Sequence, residues 1–319
     1  MSIPVLESAL TRMPRLGLGT WPMQGAECQA AVESAIGLGY RHVDTAEMYG
    51  NEAAVGAAIR ACGVPRDELY LTTKVWWDKP RGAAIRRAFE GCLQRLAQPH
   101  VDLLLIHWPS PELDLPDALA ALARLREEGL ARAVGVANFP PGLLRRAVEA
   151  GIAPIACLQV EHHVYLSQQR LLDYTRQHGI VLTSYTPVAK GAVLEDPVIR
   201  RIADRHGATP AQVALAWLLA MPGVAAIPKA ASPARQRENL GAVELRLDAE
   251  DLAALDALLK DRRLVDPDIA PELGILRISV TVRLRPDDRA RFERRALHPG
   301  RPDDARLSAG RNAQLRRER

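Results

Sequence analysis

Residues 101–128 read VDLLLIHWPSPELDLPDALAALARLREE. The apolar run Val101–His107 ends on a histidine and is closed by Trp108 and Pro109. After a short polar link, apolar residues return at helical spacing from Leu115 to Glu128, with Leu115, Leu119 and Leu122 on one face. A near-continuous apolar run reads as a strand buried on both faces. An amphipathic helix after it supplies the crossover that a parallel neighbour needs.

The same unit recurs along the chain. Candidate strands are Arg15–Leu18, His42–Asp44, Leu69–Lys74, Val101–His107, Ala131–Ala137, Cys157–Val160, Val181–Tyr185 and Val224–Pro228. Helical stretches lie between them at Glu27–Leu38, Asn51–Cys62, Gly82–Leu96, Leu115–Glu128, Pro141–Ala150, Gln168–His178 and Pro197–Ala220. The last reads as two helices broken at HGATP, where Thr209 caps and Pro210 takes the first helical position. A further helix starts near Pro233, and Ala249–Leu259 reads as another. The first seven strands start at intervals of roughly 24 to 32 residues. Eight βα repeats of that size fit an α/β chain folded as a (β/α)8 barrel of about 250 residues. An open doubly wound sheet is the alternative. Against it, Gly17-Leu18-Gly19-Thr20-Trp21-Pro22 is not G-x-G-x-x-G, and the proline interrupts the would-be helix start. The segment before Arg15 reads as a small hairpin under the barrel.

The chain has 319 residues, 48% hydrophobic and 25% charged, an ordinary balance for a globular protein. No run approaches the 18 or more apolar residues of a membrane-spanning helix, and the first residues show no secretion signal. The net charge of +4 is unevenly placed: residues 275–319 carry 13 Arg, no Lys and 6 acidic residues. The body before them is slightly acidic, which argues against nucleic acid as a partner. Residues 1–274 therefore read as the barrel domain and 275–319 as a basic, disordered tail with a weak strand signal at Ile278–Leu284. Cys28, Cys62, Cys92 and Cys157 form no C-x-x-C pair and no Cys/His spacing fits zinc, so reduced, buried thiols in a cytoplasmic protein without metal are expected. The chain is also expected to be a monomer.

Catalytic groups of such a barrel belong at the C-terminal strand ends. Strand two ends HVDTAEMYG, giving Asp44 and Tyr49; strand three ends LTTKVWW, giving Lys74; strand four ends LLLIHWP, giving His107. Singly each has an ordinary structural explanation. Together, charged ends on successive apolar strands are costly unless paired. The set suits proton transfer from a phenol: an ammonium favours the phenolate and lowers the phenol pKa, a carboxylate holds the ammonium, and a neutral imidazole orients a carbonyl oxygen. No side chain supplies a hydride, so a reduction needs a nicotinamide cofactor.

The sequence resembles the aldo-keto reductases. The matching motifs are LGLGTW, GYRHVDTAEMYGNEAAVG, LTTKVW, VDLLLIHWP, AVGVANF, LQVEHHVY, TSYTP and AIPKAASPARQRENL, in family order over about residues 3–273. The likeness implies NADPH as cofactor and a small carbonyl compound, an aldehyde or α-dicarbonyl, as substrate. It implies Tyr49 as proton donor, Lys74 and Asp44 as its tuning pair and His107 as the carbonyl-orienting group. Gly19, Thr20, Trp21 and Asp44 would line the cofactor, Asn138 and Gln159 would hold the nicotinamide carboxamide, and Tyr185 would stack on its ring. Lys229 and Arg235 would bind the 2′-phosphate, with Asn239 near the adenine. Trp21, Tyr49, Trp76, His107 and Trp108 would line the substrate pocket. Independently of the likeness, Ser232-Pro233 starts a helix whose N-terminus attracts anions, with Lys229 just before it and Arg235 in its first turn. Departures from the family pattern are Ala137, Leu158, Ala189, Lys190, Ala230 and His162. Two other readings stand beside the reductase: a Schiff-base aldolase using Lys74, and an NADPH-binding regulatory subunit with negligible turnover.

The end of periodic structure near Leu273 makes one prediction. A chain ending at Gly274 should fold and keep its kinetic constants within about threefold of the full chain, because few apolar residues follow to add to the core. Unfolding of the shortened chain would show that the Ile278–Leu284 segment packs on the body.

Overall fold

The structure, a computed structural model, describes residues 3–267, which belong to a compact unit spanning Met1–Ile275. The readings made for the tail and for Ile278–Leu284 lie outside the described residues. Strands β1 (Val5–Glu7) and β2 (Arg12–Pro14) form the antiparallel hairpin expected before Arg15. Eight parallel strands follow: β3 (Leu18–Gly19), β4 (His42–Asp44), β5 (Tyr70–Val75), β6 (Val101–Ile106), β7 (Ala131–Ala137), β8 (Ile155–Glu161), β9 (Val181–Tyr185) and β10 (Val224–Ala226). Helices α1 (Gly25–Gly37), α2 (Glu52–Ala61), α3 (Gly82–Leu96), α4 (Leu115–Glu127), α5 (Pro141–Glu149) and α6 (Gln169–Gln177) connect them. Between β9 and β10 come α7 (Pro197–His206) and α8 (Pro210–Ala220), and after β10 come α9 (Pro233–Gly241) and α10 (Ala249–Asp256). The break at HGATP is where the sequence places it: Thr209 accepts from Gln212 N, the Gln212 side chain reaches back to the cap, and Pro210 opens the helix.

The strands pair in chain order, and the sheet closes on itself. Leu16 bridges Ala226 and Gly19 bridges Lys229, both parallel, and Gly17 N donates to Ala226 O at 2.9 Å. This seam explains the two glycines that fail as a dinucleotide fingerprint. A Cβ on Gly19 would sit 2.6 Å from the carbonyl oxygen of Ile227, and one on Gly17 would sit 2.7 Å from Nδ1 of His42. The first strand expected at Arg15–Leu18 is therefore split, with a bridge at Leu16 and a short ladder at Leu18–Gly19.

Strand periodicity then decides which side chains meet on the axis. Tyr70, Leu103, Leu105, Ala133, Cys157, Val181 and Ala225 form one apolar cluster inside the barrel, with Met13 from the hairpin among them. Leu71, Leu104, Val134, Leu158 and Leu182 belong to a separate, larger cluster shared with the helices. Continuing the inward parity toward the strand ends leads from Tyr70 to Thr72 and Lys74, from Leu105 to His107, from Cys157 to Gln159 and Glu161, and from Val181 to Tyr185. The inner column changes from apolar to titratable as it rises.

Candidate active site

Parity and closure bring the expected set together at the open end. Lys74 is fully buried and donates from Nζ to Asp44 Oδ1 at 2.5 Å, to the carbonyl oxygen of Thr45 at 2.9 Å and to the Tyr49 hydroxyl at 3.3 Å. Gln159 donates to the other Asp44 oxygen at 2.8 Å. The Thr20 hydroxyl donates to the Asp44 carbonyl at 2.9 Å, and the amide of Asn51 ties the same loop to Thr20 O and Met23 O. Tyr49 closes a single 3-10 turn, Glu47–Tyr49, that Gly50 ends in the left-handed region. Its ring lies 5.2 Å from that of Trp21 and 5.6 Å from the imidazole of His107, which in turn is 5.1 Å from Trp76. Glu47 accepts from the Trp76 backbone N–H at 2.9 Å, which holds the start of the loop after β5. Trp108, the residue after His107, is buried.

Electrostatics give these groups distinct states. Burial pulls the Lys74 ammonium down, but the Asp44 carboxylate and the Tyr49 oxygen together outweigh it, so Lys74 titrates above its ordinary value. Burial, with the Lys74 charge adding to it, pushes His107 well below 6.5 and keeps the ring neutral. Its Nδ1 is buried without a protein partner among the described residues. For Tyr49 the reading from sequence needs correction. The Lys74 charge does pull the phenol down, but burial is the larger effect and the net shift is upward from 10. Tyr49 therefore keeps its proton at neutral pH, and the ammonium only moderates how strongly the site resists phenolate.

The residues expected at the cofactor fall around this core. Asn138 directly follows β7 with a left-handed φ of 61°, donates to the His107 carbonyl at 2.9 Å and accepts from the Tyr185 hydroxyl at 2.9 Å. Asn138, Gln159 and Tyr185 are thus linked through hydrogen bonds to the same centre. The seam places Lys229 beside Gly19, so the LGLGTW segment adjoins the stretch that leads into α9 although 210 positions separate the two bridged residues. Ser232 caps α9 by accepting from Arg235 N, Pro233 opens it, and Asn239 is buried on it. Lys229 and Arg235 are exposed. Exposed cations at a helix N-terminus fit a phosphate, and the polar Asn138–Gln159–Tyr185 cluster fits a carboxamide and ring, so the residues present suit NADPH. Of the departures, Leu158 is fully buried on the helix-facing side of β8, so that position adds packing in place of a polar contact. Thr45, Glu47, Asn51 and Glu161 have structural parts at this end that sequence reasoning missed. All lie inside the quoted motifs, but nothing in a motif tells which polar side chain turns onto backbone.

With this geometry in view, comparison with known proteins places the chain in a family. The family model described as the aldo/keto reductase family matches residues 15–260. The chain belongs to that family, whose members are NADPH-dependent oxidoreductases, and carbonyl reduction is its activity. It is 44% identical over 264 residues to methylglyoxal reductase DkgB of Escherichia coli O157:H7, covering 82% of this chain and 98% of that one. A solved structure provisionally assigned as a 2,5-diketo-D-gluconic acid reductase B aligns with a TM-score of 0.82 and 42% identity, over 85% of this chain and 97% of that one. An aldo-keto reductase solved in complex with NADPH aligns with a TM-score of 0.79 and 30% identity, over 83% of this chain and 90% of that one. No helix among the described residues is long and apolar enough to cross a membrane.

The Lys74–Asp44 pair yields a stability prediction. Asp44→Asn keeps the shape but leaves a buried ammonium without its counter-charge, and should cost about 3–5 kcal/mol in urea unfolding at pH 7. Adding Lys74→Met removes the orphaned charge, so the double variant should be more stable than Asp44→Asn alone. A loss in the double variant equal to the sum of the Asp44→Asn and Lys74→Met losses would show that the pair is not electrostatically coupled.

Proposed function

We propose that this chain reduces small aldehydes and α-dicarbonyls, of the methylglyoxal and 2,5-diketo-D-gluconate type, with NADPH, Tyr49 being the proton donor. The observation that carries the proposal is the convergence of the Tyr49 phenol, hydrogen-bonded to the buried Lys74 ammonium, with the His107 imidazole, whose ring lies 5.6 Å from that of Tyr49. Bound NADPH supplies the hydride. The remaining tasks fall to the chain. His107 donates a hydrogen bond to the substrate oxygen while staying neutral. As that oxygen gains charge, Tyr49 Oη passes its proton to it, giving the alcohol. The phenolate left behind is stabilised by the Lys74 ammonium 3.3 Å away and is reprotonated from solvent. Asp44 holds Lys74 charged throughout. An aldolase needs Lys74 as a free amine nucleophile, and the raised Lys74 pKa disfavours that reading.

The relatives' names support the substrate class, and Trp21 and Trp76, whose rings lie against those of Tyr49 and His107, would give a small substrate aromatic walls, with the buried Trp108 behind them. Lys229 and Arg235 would bind the 2′-phosphate, with Asn239 by the adenine, and Asn138 and Gln159 would hold the carboxamide under Tyr185. The barrel domain would extend to residue 274. Four cysteines without disulfides suit a reducing cytoplasm, where the chain would work as a monomer on a small carbonyl compound.

NADPH oxidation across a panel of carbonyl compounds tests the reading. Tyr49→Phe should lower turnover by roughly 10²–10⁴-fold while NADPH binding is nearly unchanged. Since the Tyr49 pKa is raised and that of His107 lowered, the wild-type rate should be flat from pH 6 to 9. It should fall only as pH rises through the phenol pKa above 10. A limb centred near 6.5 would instead mean that the imidazole charges during the reaction. Turnover of Tyr49→Phe within a few-fold of wild type would remove the phenol from the mechanism.

Cofactor choice has its own test. Arg235→Ala should raise the apparent constant for NADPH by about tenfold or more, the scale of one charge-assisted contact, and leave that for NADH almost unaltered. Equal losses with both cofactors would make Arg235 a structural residue.

A further inference from the structure

Glu161 stands two residues beyond Gln159 on the same side of β8 and is 3% exposed. A buried carboxylate at the open end invites a catalytic role, but its oxygens are occupied. Oε1 accepts from the Leu264 backbone N–H at 2.8 Å and from His163 Nε2 at 3.0 Å, and Oε2 accepts from the Val265 N–H at 2.9 Å. His163 Nδ1 accepts from Tyr165 N at 3.2 Å, which leaves the proton on Nε2 facing Glu161. A buried carboxylate kept for two backbone amides 103 and 104 positions away is a fastening.

The fastened segment is held from its other side too. Lys190 Nζ donates to the Leu264 carbonyl at 2.9 Å. Lys190 belongs to the loop that leaves β9 directly after Tyr185, and Tyr185 pairs in register with Glu161. That loop contains Thr186, Ala189 and Lys190 with left-handed φ of 53°, 48° and 52°, conformations that residues bearing a Cβ keep only when surrounding contacts hold them. Leu264 thus joins the end of β8 to the strained loop, one of its hydrogen-bonding groups serving each.

We infer that Glu161 is a positioning residue: through Leu264 it clasps the 261–265 segment and the loop after Tyr185 into one rim, and this rim sets how long NADPH stays bound. The inference rests on the cofactor reading above, because Tyr185 is the residue assigned to the nicotinamide ring. The rest of the segment has separate anchors, with Arg262 N donating to Tyr165 O at 2.9 Å and Lys260 Nζ to Val164 O at 2.7 Å. Loss of the Glu161 clasp therefore frees the 264–265 end without unfolding the chain.

The test uses the full chain with Glu161→Gln, whose amide NH2 faces one of the two backbone donors, and Lys190→Met, which cuts only the loop's tie. Hydrogen–deuterium exchange of the cofactor-free protein should show faster exchange at 264–265 in Glu161→Gln. Stopped-flow fluorescence should show NADPH leaving both variants roughly tenfold faster, the scale of one lost charge-assisted hydrogen bond. Single-turnover hydride transfer should stay within about twofold of wild type, because the clasp touches no reacting atom. Wild-type release rates in both variants would overturn the inference, as would unchanged exchange at 264–265. Slowed hydride transfer with normal release would overturn it by making Glu161 catalytic. Failure of the wild-type chain to bind NADPH would overturn the cofactor reading and the release step with it, while the exchange data would still report on the clasp itself.

Discussion

A closed sheet of eight parallel strands gives its inward side chains access to solvent and ligand only at the ends, and the hairpin carrying Met13 occupies one of them. Any polar group on the inner column must therefore stand near the open end or find a partner inside. Lys74 does both. Its ammonium is fully buried, yet Asp44, the Thr45 carbonyl and Tyr49 take its three donors. The loops around it follow from that requirement: Thr20 and Asn51 hold the backbone that presents Asp44, and Gln159 takes the second carboxylate oxygen.

The same burial sets the chemistry. Tyr49 is half-buried and His107 buried, and this desolvation pushes a phenol that would titrate at 10 in solution up and an imidazole that would titrate at 6.5 down. Both groups are thereby neutral hydrogen-bond donors at physiological pH, which suits a substrate oxygen that becomes negative during reduction. The ammonium beside Tyr49 has its largest effect when the phenolate forms, so it favours the charge-separated stage more than the resting site.

At the rim, structural and functional roles are harder to separate. Glu161 and Gln159 share a strand and a parity, but one binds backbone amides and the other binds Asp44. The distinction depends on where a segment more than 100 positions away comes to lie.

Sequence by itself determined the alternation of strand and helix, the break before Pro210, the capping of α9 by Ser232 and the residues Asp44, Tyr49, Lys74 and His107 as a set. Those are local matters of periodicity, cap chemistry and polar residues at the ends of apolar runs. Only the tertiary structure decided the rest. The use of Gly17 and Gly19 as seam residues depends on how closely the first and last strands approach. The direction of the Tyr49 shift depends on how deeply the phenol is buried against one charge, and no spacing along the chain records depth. The burial of Leu158 among the helices and the clasp at Glu161 likewise follow from closure, because closing the barrel is what assigns each strand residue to the axis or to the outer shell.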